Sequence, residues 1–297
     1  MTGSREVSPL TKKITRILKT DDQHWVGNGF LVKTLFAYPQ GAEELSPFLL
    51  FDHAAPTQFA PTTERRGVGE HPHRGFETVT IVYEGEVEHR DSVNGGGKVG
   101  PGDVQWMTAA SGVVHEEFHG REYAARGGPF EMVQLWVNLP AKDKMTTPRY
   151  QEIFSDKIPE TSLLGGAGKV RVIAGEFQGL KGPALTYTPL NVLDLKLSKG
   201  CEVELPVKAG HNAIVVVLQG ELSSTDGHEL GPAHVALFER DGEVIRLQSR
   251  AETKALLLTG QPIEEPVVGQ GPFVMNTRAE IQQAMRDYAD GRMGRLS

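Results

Sequence analysis

One segment of this chain occurs twice, and that limits what it can fold into. Residues 76–86 (FETVTIVYEGE) align without a gap on residues 211–221 (HNAIVVVLQGE). Farther along, Gly100-Pro101 followed by Val104 matches Gly231-Pro232 followed by Val235, across a loop four residues shorter in the second copy. A repeat of this length in 297 residues implies two tandem copies of one folding unit. The spacing places them at 1–150 and 151–297, joined by the polar stretch 141–160.

The local pattern says what the unit is. Short runs rich in β-branched and aromatic residues, at 48–51, 77–83, 131–137, 170–173, 213–218 and 255–258, are punctuated by 34 glycines and 18 prolines. Such runs between turn residues read as strands. Helical periodicity is convincing only at 278–288, where Ile281, Ala284, Met285 and Tyr288 share a face. Thr277 and Glu280 are spaced as a capping box for that helix. The expected class is all-β, two double-sheet barrels of jelly-roll type with a C-terminal helix.

Composition removes several functions. A net charge of −7 gives no basic face with which to release counterions from a polyanion, so direct nucleic-acid binding is not expected. No apolar run approaches the roughly 20 residues of a spanning helix. Residues 1–19 lack the apolar block of a secretory leader, and the single cysteine, Cys201, suits a reducing compartment. The expectation is a cytoplasmic protein without a membrane partner.

Two histidine motifs carry the chemistry. In His71-Pro72-His73 the two imidazoles lie two residues apart, so on a strand they project to the same side. Pro72 biases His71 toward extended backbone. In His115-Glu116-Glu117 the same alternation pairs His115 with Glu117 and turns Glu116 away. Three imidazoles and one carboxylate without thiolate suit iron, nickel, copper, manganese or zinc, and disfavour a closed structural zinc site. Four protein ligands on an octahedral ion leave two positions open.

Glu77 competes with Glu117 for the carboxylate role. At a rise of about 3.3 Å per residue, His115 and Glu117 are about 6.6 Å apart, whereas Glu77 is about 13 Å from His73 on a straight strand. Glu117 is the expected ligand, and Glu77 is expected to orient a ligand histidine or a bound water. Phe76, Trp106 and Met107 are candidate pocket walls.

At these residues the sequence resembles the pirin family of bicupins. The likeness is carried by HPHRGFETVT (71–80), GPGDVQWMTAASGVVHEE (100–117), QLWVNLP (134–140), SPFLLFDH (46–53) and GPFVMNT (271–277). Ala110 departs from the general cupin signature, which often has proline there. The resemblance implies two cupin barrels, with Fe2+ or another divalent transition metal bound in the first by His71, His73, His115 and Glu117. It also implies either of two functions. One is a quercetin 2,3-dioxygenase activity on a flavonol with O2, in which Glu117 accepts the hydroxyl proton. The other is a non-enzymatic, redox-sensing regulator that binds a transcription factor or a metabolic enzyme. In the second copy the ligand positions fall on Pro206, Lys208, Arg246 and Gln248, with Asn212 in place of Glu77. The second barrel is therefore expected to lack a metal, and His211, His228 and His234 to be surface or core residues.

Overall fold

The computed structural model describes residues 9–93 and 95–296. The first eight residues, part of the stretch read above for a secretory leader, lie outside them. Among the described residues each barrel pairs a seven-stranded sheet with a four-stranded one. Every run expected to be a strand is one, and the two copies of the repeat occupy equivalent places. Phe76–Glu84 lies between Val104–Thr108 and Gly128–Asn138, and Asn212–Gln219 lies between His234–Phe238 and Thr253–Gly260. Gly85 and Gly220 end these strands at the same φ of 85°, which only glycine adopts without strain.

Alternation along the repeat strand assigns its two faces. Val79 and Ile81 of the first copy, with Ile214 and Val216 of the second, are fully buried in one apolar layer between the barrels. Each such side chain is worth roughly 1.5–3 kcal/mol when removed from water, and the layer joins the two barrels. The opposite face differs between copies. Where the second barrel has Ala213, Val215 and Val217 in an aliphatic core, the first has Thr78, Thr80 and Val82. A polar interior is thus built into the first barrel alone.

Both chain ends cross between the barrels. The N-terminal strand Ile14–Lys19 pairs with His234–Phe238 in the second barrel. The C-terminal hairpin of Val268–Gln270 and Phe273–Met275, with the helix Arg278–Ala289, packs on the first around Val114, Phe273, Met275, Ile281, Ala284 and Met293. The stretch 141–160, read as a linker, contributes the strand Arg149–Ile153 to the first barrel's sheet beside Val104–Thr108. The helix has the expected capping box at Thr277 and Glu280. Its buried face is Ile281, Ala284 and Asp287, while Met285 and Tyr288 are exposed. The helix is turned because Asp287 meets a buried guanidinium, a partner that hydrophobic periodicity does not register. No helix among the described residues is long and apolar enough to cross a membrane.

Candidate metal centre

The strands Gly67–His73 and Val113–His119 pair antiparallel, with His115 opposite His71 and Val113 opposite His73. This register brings three imidazoles together. Ring centroids are 4.3 Å apart for His71 and His115, 4.9 Å for His73 and His115, and 4.9 Å for His71 and His73. One ring nitrogen from each lies within 4.8 Å of the others, so the three could hold one metal ion. A shift in register between His115 and Glu117 places an extra residue on the partner strand, a β-bulge. There the Nδ1 of His71 is hydrogen-bonded to the Gly69 carbonyl at 2.8 Å, which leaves Nε2 as the free lone pair.

His73 and His115 are buried. Burial lowers the pKa of both well below the usual histidine range, with repulsion from His71 on the first and from His73, His71 and His89 on the second. Both rings are therefore neutral at pH 7, the form that ligates a metal. The Nδ1 of His73 and both ring nitrogens of His115 have no hydrogen-bond partner. An unpaired buried polar atom costs about 1–3 kcal/mol, and a metal would satisfy one nitrogen of each ring. The donors therefore fit a divalent transition metal.

Glu117 stands outside the three-imidazole group. It is buried, and both carboxylate oxygens face the Gln134 amide, at 3.3 and 3.5 Å. Burial raises its pKa, opposed by His71, Gln134 and the nearby Thr80. Gln134 comes from the strand Gly128–Asn138 and was not singled out in the sequence, although its parity with Trp136 would have placed it inside. Two other interior residues were missed. His89, directly opposite Glu117 on the neighbouring strand, is stacked on Tyr150 with centroids 5.3 Å apart. Neither ring nitrogen of His89 has a hydrogen-bond partner.

Two expectations need correction. Glu77 does not orient a ligand histidine. It lies on the opposite face of its strand from Phe76, toward the layer between the barrels, and accepts a hydrogen bond from Thr108 Oγ1 at 2.8 Å. Strand alternation puts residues 76 and 77 on opposite faces, whereas counting from His73 across the bend at Gly75 lost that parity. Trp106 packs in the same inter-barrel layer and is not a pocket wall. Phe76 does face the site, with its ring 5.2 Å from His73 and 4.3 Å from Trp136. Met107 also points inward, and its sulfur accepts a hydrogen bond from the Tyr150 hydroxyl at 2.7 Å.

In the second barrel Arg246 is ion-paired with Glu204, and the Asn212 amide donates to the carbonyls of Glu43 and Ser46. A cavity of about 670 Å3 opens there beside Lys208 and His211, and none of its lining residues belongs to the imidazole group.

The Pirin family model matches residues 29–137, and the model of the Pirin C-terminal cupin domain matches residues 192–294. A Pseudomonas aeruginosa protein named "Putative quercetin 2,3-dioxygenase PA2418" is 51% identical over 281 residues, covering 95% of this chain and 98% of that one. Pirin of Homo sapiens is 36% identical over 290 residues, covering 96% of this chain and 94% of its own length. The crystal structure of a quercetin 2,3-dioxygenase from Acinetobacter baumannii is similar with a TM-score of 0.94 at 52% identity, covering 97% of this chain and 100% of that one. With both barrels matched, and relatives aligned along nearly its whole length, the chain belongs to the pirin family.

Proposed function

We propose that this protein is a mononuclear non-haem oxygenase that opens a flavonol ring with O2. Its metal, iron before other divalent ions, would be held by His71, His73, His115 and Glu117. The observation that carries the reading is the three-imidazole group, with His73 and His115 buried, neutral and carrying orphaned nitrogens, in the one barrel whose interior is polar. The named activity of the relatives supports the choice of reaction. Three nitrogens and a carboxylate oxygen suit ferrous iron. When bound, the metal would supply a Lewis acid and a template for the flavonol oxygens and O2.

The protein's own residues do the rest. Trp136, backed by the buried Phe76, offers an apolar face against which an aromatic ring system can lie. Glu117, whose pKa is raised by burial, would accept the flavonol hydroxyl proton at an Oε atom not bound to the metal. Gln134 holds that carboxylate by its amide and must yield when Glu117 turns toward the imidazoles. The partnerless nitrogens of His89 are free to hydrogen-bond further hydroxyls of the substrate.

Anaerobic addition of a flavonol to ferrous protein should shift the flavonol's absorption band. Admitting air should then consume one O2 per flavonol over many turnovers. No uptake with any flavonol at full ferrous loading would favour the metal-dependent regulator instead.

A further inference from the structure

The residue after ligand His73 is held by the far end of the chain. Arg74 is almost fully buried, and its Nη1 donates to Asp287 Oδ2 of the C-terminal helix at 2.8 Å. Its Nε donates to the Ser111 carbonyl at 2.7 Å, in the turn that leads into the His115 strand. Its backbone is bridged to the hairpin, with Arg74 N to Pro272 O at 3.3 Å and Val274 N to Arg74 O at 3.0 Å. The next carbonyl, of Gly75, accepts from Lys144 Nζ at 2.6 Å. One guanidinium thus ties the strand of His73 to the approach of His115.

Asp287 is itself fixed. Its Oδ1 accepts from Gln283 Nε2 at 2.7 Å and from Arg292 Nη1 at 2.9 Å. A buried ion pair adds little stability over an apolar pair of the same size. What it does add is a fixed direction and distance, which a site made of two strands needs and an apolar contact does not give. The helix face confirms that this contact is built in, because Asp287 is buried while Met285 and Tyr288 face outward.

We propose that Asp287 is a positioning residue for the metal centre. Through Arg74 it sets the spacing of His73 and His115, so that metal affinity depends on a helix from the opposite end of the chain. This rests on the metal reading given above. The loss should resemble that of other groups that orient a ligand without touching the metal, roughly 10- to 100-fold in affinity.

The test uses Co2+ as probe on the full chain, read by competition with a chromophoric chelator and by the ligand-field spectrum. Asp287→Asn keeps the shape of the side chain and guards against an unfolded variant, and circular dichroism checks the fold. The expected result for Asp287→Asn is a 10- to 100-fold weaker affinity with an altered cobalt spectrum, partly restored in Asp287→Glu. Gln282→Ala, exposed on the same helix away from Asp287, should bind within a few-fold of wild type. Wild-type affinity and spectrum in Asp287→Asn would overturn the proposal, even if its melting temperature fell. Wild-type affinity in His73→Ala would instead overturn the metal reading itself.

Discussion

His73→Ala is expected to give a folded protein that has lost its metal. The imidazole is buried beside Phe76 and Trp136, so truncation leaves a cavity of the kind that costs roughly 2–5 kcal/mol for apolar side chains. It also removes a buried Nδ1 without a partner, a relief of about 1–3 kcal/mol. The net cost stays below the roughly 5–15 kcal/mol that holds a typical domain together. Metal affinity should fall by more than the roughly 100-fold lost with an outer partner, because a ligand itself is gone. Metal stabilises the wild type only by mass action, about 2.7 kcal/mol at one hundred times Kd. Adding chelator should therefore lower the melting temperature of the wild type toward its apo value and leave His73→Ala unmoved. A variant unfolded at room temperature would show the site to be structural.

The second large effect concerns Glu77 and pH. Burial raises its pKa from 4.5 to about 7, against the opposing Thr108 hydrogen bond, Trp106 and Arg149. The folded state therefore holds a proton that the unfolded chain has released between pH 4.5 and 7. Stability from this group is complete below pH 4.5 and is lost as pH rises through 7. The full span corresponds to about 3 kcal/mol. Glu77→Gln is neutral at every pH and should lack this slope. In urea unfolding, the stability of wild type minus that of Glu77→Gln should fall by up to about 3 kcal/mol from pH 4.5 to 8. A flat difference would mean that the carboxyl is solvated and ionised in the folded protein.

Both residues show what the sequence could and could not reveal. The HPH and HEE motifs located the imidazoles because ligand parity is a local property of a strand. The repeat located the second barrel because Val79 and Ile81 answer to Ile214 and Val216 in one shared layer. Glu77 is not placed by counting from His73 because the bend at Gly75 breaks the parity, and Trp106 is not placed because both faces of its strand are buried. Gln134, His89 and Tyr150 reach the site from strands that are distant in sequence, with no spacing signal to join them to the motifs. Asp287 carries no sequence signal, because its partner Arg74 lies 213 residues away.

The most direct test of the account is anomalous diffraction at the iron absorption edge from crystals of protein loaded anaerobically with ferrous iron. The account predicts one strong peak per chain, in the first barrel, within ligand distance of His71, His73 and His115 and of a Glu117 carboxylate turned away from Gln134. A peak in the second barrel, or one in the first bound by Glu77 and not Glu117, would contradict it.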